Sequence, residues 1–282
     1  MSEPFVELAW LRAHLDDPQL RIVDARSQPH SAPGLSSPSG AEQYSAGHIP
    51  GAIHLDYAEE LADPATPYAA RVAPADLFAK VVGELGIGDR STVVAYDDGT
   101  VPYAARIVWM FHLYGHDDVH ILAGGLPVWR AAGLPLQSQV PHLAPQTFTP
   151  KPRPKLRAAR DEVLAVAEGR SDAQLLETQR DGTYALRDRD IAGAVRLSAS
   201  QLLEDSNGGR LAPLAEIGRL SDERGLDRSK RTIVSCGSGV GAAGSYLALS
   251  AAGFTDLAVY DGSWMEWSHD ALPTVEKPKD QK

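Results

Sequence analysis

The chain contains a single cysteine, Cys236, and its neighbours are those a reactive thiol requires. It closes the apolar run Thr232-Ile233-Val234-Ser235 and opens Gly237-Ser238-Gly239-Val240-Gly241, after which Ala242 to Ala252 is rich in Ala and Leu. β-Branched residues suit a buried strand and Ala and Leu favour helix, so the stretch predicts strand, tight loop, helix, with the sulfur at the strand's exit. Glycine reaches positive φ without a Cβ clash, so a loop with Gly237, Gly239 and Gly241 can turn several backbone N–H groups inward. Those donors and the positive end of the following helix would favour thiolate over thiol. Cys236 is therefore the candidate catalytic nucleophile, and Gly237, Ser238, Gly239, Val240 and Gly241 form its anion-holding loop. The Ser238 hydroxyl reads equally as a donor to sulfur and as a small turn residue.

Other chemistries draw on the same residues. Gly239-Val240-Gly241-Ala242-Ala243-Gly244 spells the G-x-G-x-x-G of a dinucleotide site, for which Asp261, at the end of the next strand, would be the ribose-binding acid. A cysteine phosphatase needs an arginine six residues after its cysteine, and Ala242 stands there. A non-catalytic binding module with an inert, buried Cys236 is the plain alternative. His112, His116 and His120 recur at spacing four, but Gly115 and Asp117-Asp118 interrupt any shared helical face, so no metal is expected. Thiolate chemistry in such a loop calls for no organic cofactor either.

A loop of this kind must be held by strands and helices, and the rest of the chain predicts them. Leu8 to Leu15 has helical spacing, Leu20 to Asp24 reads as a strand, and Ser27 to Gly40 as an exposed loop. Ile53-His54-Leu55, Thr92 to Tyr96 and Val119 to Leu122 read as strands, with helices over Pro74 to Leu85 and Tyr103 to Tyr114. Strands alternating with helices predict an α/β fold, a mostly parallel sheet with helices on both faces. The second half repeats the first: Ile49-Pro50-Gly51-Ala52-Ile53 returns as Ile191-Ala192-Gly193-Ala194-Val195, and Gly115, Gly124 and Trp129 return as Gly253, Gly262 and Trp267. Matched glycines and tryptophans imply matched turns and packing, hence tandem domains over 1–137 and 156–282 joined by a Pro-rich linker, 138–155. Where the second copy has Cys236 the first has Tyr96-Asp97-Asp98-Gly99, with no thiol, so the first domain is expected to be catalytically inactive.

Of the 282 residues, 27 are Lys or Arg and 37 Asp or Glu, a net charge of −10 that disfavours a nucleic-acid partner. One cysteine excludes an intrachain disulfide, and no apolar run is long enough to span a bilayer; a soluble, cytoplasmic protein with no membrane partner is expected.

The chain resembles the two-domain rhodanese-like sulfurtransferases, the family of 3-mercaptopyruvate and thiosulfate sulfurtransferases. The resemblance rests on His48-Ile49-Pro50-Gly51-Ala52, Tyr96-Asp97-Asp98-Gly99, Cys236-Gly237-Ser238-Gly239-Val240 and Val259-Tyr260-Asp261-Gly262-Ser263-Trp264-Met265-Glu266-Trp267. It implies that Cys236 takes sulfane sulfur from a small anionic donor, holds it as a persulfide, and passes it to cyanide, a thiol or a protein dithiol. The loop is similar to that of mercaptopyruvate enzymes, whereas thiosulfate relatives carry cationic side chains there. The chain departs from the family pattern at Gly241, where threonine is usual, and at Ala58 and Ala70, where a histidine and an aspartate are expected. It departs again at Leu176-Glu177-Thr178-Gln179, where the family strand ends in aspartate and arginine. Arg187 and Arg189 are the cations left to grip a donor's oxygens, with a solvated surface position as the alternative for each.

Overall fold

Val93 to Tyr96 and Thr232 to Ser235 are buried along their whole length, as strands without polar alternation must be when helices cover both faces of a sheet. Each belongs to the central strand of its own sheet. The computed structural model describes residues 4–27, 38–68, 71–203 and 209–277. They divide into two units: residues up to Arg153 together with Gly209 and Arg210, and the remainder from Pro154.

The first unit runs β1 (Phe5–Val6), α1 (Leu8–Ala13), β2 (Leu20–Asp24), α2 (Gly40–Ala46), β3 (Ile53–His54), α3 (Ala75–Glu84), β4 (Thr92–Tyr96), α4 (Pro102–Leu113), β5 (Val119–Leu122) and α5 (Gly125–Ala131). Its sheet has the order β1-β5-β4-β2-β3, every pair parallel. The second unit runs β6 (Arg157–Ala158), α6 (Arg160–Ala167), β7 (Gln174–Glu177), α7 (Asp181–Tyr184), β8 (Arg189–Ile191), β9 (Ala194–Arg196), α8 (Leu214–Glu223), β10 (Thr232–Ser235), α9 (Val240–Ala251), β11 (Leu257–Tyr260), α10 (Ser263–His269) and β12 (Thr274–Glu276). Its sheet, β6-β11-β10-β7-β9, repeats the first strand for strand, again all parallel, and β8 and β12 add a short antiparallel pair.

Each unit closes its own core. Trp129 packs with Val6, Leu11, Val94 and Leu122, and Trp267 with Ala158, Val163, Ile233 and Ala258. The two indoles even make the same bond, Nε1–H donating to Pro135 O in one unit and to Pro273 O in the other, each at 2.9 Å. The helix after each central strand is almost wholly buried, as a helix apolar on every side must be.

The segment read as a linker has no helix or strand as far as Arg153 and to that point lies along the first unit, while Pro154 and Lys155 open a 3-10 turn of the second. Gln146 N–H donates to Gly83 O, Lys151 N–H to Tyr114 O, and Phe148 is buried against Phe78 and Phe111. Most of the loop read over Ser27 to Gly40 lies outside the described residues; its end caps α2, with Ser39 and Glu42 in a reciprocal capping box. No helix among the described residues is long and apolar enough to cross a membrane.

Candidate active site

β10 delivers Cys236 at its C-terminal end and α9 begins four residues later, so the sulfur sits where strand carbonyls give way to helix N–H groups. The backbone N–H groups of Ser238, Gly239 and Ala242 bond to Sγ. Only Gly239 of the loop glycines is left-handed, at φ +81°, and a Cβ there would lie 2.5 Å from Asp261 O. Gly241 is helical, and a Cβ there falls 3.7 Å from Sγ.

A second segment braces the loop from behind. Cys236 N–H donates to Ser263 Oγ at 3.1 Å, and Ser263 O–H in turn donates to Tyr260 O at 2.8 Å. Trp264 N–H holds Cys236 O at 3.0 Å and Met265 N–H holds Gly237 O at 2.9 Å. Ser263 is a non-glycine residue at φ +50°, a conformation kept only where surrounding bonds fix it. Its counterpart in the first unit is Gly125, also left-handed at φ +58°, so the brace could have been read from the repeat.

The electrostatics differ from the sequence-based expectation. Burial pushes the Cys236 thiol above its ordinary value, the Glu177 carboxylate pushes it the same way, and the N–H groups of Ser238, Ala242 and Gly239 pull against both. The resting thiolate expected from the loop alone is therefore corrected to a thiol that ionises late: a glycine loop was legible in the sequence, but the depth of the sulfur was not. Glu177, at the end of β7, is itself fully buried; burial raises its carboxyl and Arg187 opposes the rise.

Of the two candidate arginines, the structure brings one to this cluster. Arg187 is buried, with Nη2 at 2.8 Å from both Glu177 Oε2 and Asp190 Oδ1 and its guanidinium between the rings of Tyr184 (4.6 Å) and Trp264 (4.5 Å). It is not a surface arginine. Its Nε and Nη1 have no partner among the described residues. Arg189 is exposed and turned to β12, donating to Thr274 Oγ1 at 2.6 Å and Thr274 O at 3.1 Å.

The dinucleotide reading loses its acid, because Asp261 is buried and ion-paired to Arg157 at 3.3 Å, while the glycines serve the sulfur and close packing on Asp261 O. His116 bonds Ser91 O and His120 bonds Asp118, and among the described residues no group of three metal-type side chains converges. Ala70 lies outside the described residues.

The first unit answers what became of its own loop. Leu126 N–H holds Asp97 O at 2.9 Å just as Trp264 N–H holds Cys236 O, which makes Asp97 the counterpart of the cysteine. Its Oδ1 accepts from the N–H groups of Gly99, Thr100 and Val101 and its Oδ2 from Ala104. A tethered carboxylate thus occupies the cradle that holds sulfur in the second unit.

Comparison with known proteins agrees with this geometry. The family model described as "Rhodanese-like domain" matches residues 7–132 and 161–270, one match in each half. The chain is 32% identical over 284 residues to the 3-mercaptopyruvate sulfurtransferase of Escherichia coli (strain K12), covering 98% of both. It is also 32% identical over 284 residues to the thiosulfate sulfurtransferase of Bos taurus, covering 95% of this chain and 93% of that one. The crystal structure of SseA from Escherichia coli, a 3-mercaptopyruvate sulfotransferase, superposes with a TM-score of 0.83 over 93% of this chain and 99% of the other. The chain, with two repeats of one sheet and a thiol in only the second, belongs to the rhodanese-like family as a tandem-domain sulfurtransferase.

Proposed function

We propose that this chain transfers sulfane sulfur through a persulfide on Cys236, from a small anionic donor to cyanide, a thiol or a protein dithiol. The observation that carries the reading is the chain's one thiol at the end of β10 with three backbone N–H groups on its sulfur. The Cys236 thiolate attacks the donor's outer sulfur, as in thiol–disulfide exchange. With 3-mercaptopyruvate the carbon–sulfur bond breaks and its electron pair leaves on carbon as the pyruvate enolate, which takes up a proton. With thiosulfate the sulfur–sulfur bond breaks and sulfite leaves. The acceptor then attacks the outer sulfur and the thiolate returns. The same N–H groups suit the anionic persulfide, and no metal or organic cofactor enters these steps.

3-Mercaptopyruvate is the preferred donor, because the loop from Gly237 to Gly241 has no cationic side chain and the Escherichia coli relative carries that substrate in its name. The buried Nε and Nη1 of Arg187, without a partner among the described residues, are the donors for its carboxylate. Thiosulfate is the second reading, favoured by the Bos taurus relative. The first domain is non-catalytic, its cradle filled by Asp97. An unpaired thiol suits a reducing compartment such as the cytoplasm.

Incubation with each donor followed by intact-mass measurement tests the reading. One sulfur atom should be added, on Cys236, and removed by a thiol. Cys236→Ser that still transfers sulfur from every donor tried would overturn it.

A further inference from the structure

The first unit shows how a buried carboxylate at the end of this strand is neutralised locally. Asp24 ends β2 and accepts from Arg26, two residues on, through Nε at 2.9 Å and Nη2 at 2.6 Å, and from Arg26 N–H at 3.1 Å. Glu177 ends β7 in the same way, accepting from Gln179 N–H at 2.7 Å, but Gln179 carries no charge. The counter-charge comes instead from Arg187, ten residues further along the chain. A cation so far from its carboxylate in sequence needs another part of the fold to fix it.

The C-terminal strand is that part. β12 pairs with β8, Thr274 opposite Ile191, Val275 opposite Asp190 and Glu276 opposite Arg189, and Lys277 N–H continues the pairing onto Asp188 O at 3.1 Å. The Lys277 side chain then turns inward and is only 4% exposed. Its Nζ donates to Tyr184 O at 2.7 Å and Arg187 O at 2.8 Å, and lies 4.0 Å over the Tyr184 ring. Tyr184 is one of the two rings flanking the Arg187 guanidinium, and its O–H donates to Asp190, the second carboxylate on Arg187. Burial and the nearby Arg187 and Arg196 disfavour an ammonium here, with Asp190 and Asp188 opposing them. A lysine held in such surroundings by two carbonyls acts as a staple, since a buried ammonium persists only where it is hydrogen-bonded.

We propose that Lys277 is a positioning residue for donor recognition: by tying the Tyr184 and Arg187 carbonyls to β12 it sets the Arg187 guanidinium against Glu177, leaving its buried Nε and Nη1, unpartnered among the described residues, to a donor's carboxylate. The assignment rests on the sulfurtransferase reading only for the identity of that carboxylate.

The test compares alkylation of Cys236 by iodoacetate, which bears a carboxylate, and by iodoacetamide, which does not. Their rate ratio reads the pull of the Arg187 cation on an anionic reagent, cancels any change in thiolate fraction, and requires no sulfur transfer. Arg187→Met and Lys277→Met should each lower the ratio about tenfold, the size of one charge-assisted hydrogen bond. The double variant should fall no further, because residues acting through one group are not additive. Lys277→Arg, which keeps a cationic donor, should hold the wild-type ratio, and in Lys277→Met the KM for 3-mercaptopyruvate should rise with kcat nearly unchanged. A wild-type ratio in Lys277→Met, or additive losses in the double variant, overturns the proposal. If Lys277→Met does not fold, Lys277→Gln carries the test: a lowered ratio supports it and a wild-type ratio refutes it. Failure of the sulfurtransferase reading is seen separately, as a wild-type Cys236 that no donor loads while the alkylation ratio still responds.

Discussion

At the sulfur, burial and a neighbouring carboxylate outweigh three hydrogen-bond donors, so Cys236 should titrate above the ordinary thiol value of 9.0 in the unliganded protein. Its alkylation by iodoacetamide should therefore rise with pH through the neutral range. Glu177→Gln removes a negative charge that disfavours the thiolate, so it should move the inflection down and speed alkylation at pH 8; a profile unchanged by that substitution would exclude Glu177 as a cause. The loop glycines divide in the same residue-by-residue way. Gly239→Ala places a Cβ 2.5 Å from Asp261 O at a left-handed φ, and should cost about 1–3 kcal/mol together with most of the activity. Gly241→Ala meets only an ordinary contact with Sγ in the first turn of α9, and should stabilise by about 0.5–1 kcal/mol with sulfur loading retained. Urea titrations of the two variants check both signs. The sequence marked these glycines alike, because spacing does not reveal which one backs onto a carbonyl.

At the scale of elements, the central strands and the helices after them were legible from uninterrupted β-branched runs followed by helix formers, and Thr92 to Tyr96 and Val119 to Leu122 stand at the expected bounds. The two-residue edge strands β1 and β6 were not legible, since so short a run has no period of its own and becomes a strand only by pairing with β5 and β11. The brace at Ser263 was legible only through its repeat counterpart Gly125, and the staple at Lys277 was not legible, because its Nζ bonds backbone carbonyls that any residue offers. α4 carries a cost the pattern hides: His112 is buried within it, and burial depresses its imidazole to about 4. The unfolded chain binds that proton near the ordinary 6.5 and the folded chain does not, so stability is intact above pH 6.5 and declines as pH falls toward 4. The loss should reach about 3 kcal/mol from this group. His112→Gln should flatten the stability profile across that window, and an unchanged slope would show that other groups set it.

At the scale of the molecule, the repeat of sheet order explains why one loop could change while the fold stayed. In both units the central strand exit offers N–H groups that must meet an acceptor; sulfur meets them in the second and the Asp97 carboxylate in the first. The duplication was readable from matched glycines and tryptophans, and so was the identity of the unit that kept the thiol. What could not be read was how the second unit compensates for Gln179: the counter-ion of Glu177 comes from Arg187, and nothing in local sequence links those two positions.

The solitary state of Cys236 has one more consequence. With no second thiol in the chain to displace it, a bound sulfur atom has no internal exit, and the protein holds at most one at a time. Loading and discharge are then two half-reactions on one sulfur, the pattern of a ping-pong scheme. Double-reciprocal plots at several fixed acceptor concentrations should be parallel, and protein loaded and then freed of donor should discharge a single equivalent and stop; intersecting lines would mean that donor and acceptor are bound together before sulfur is passed.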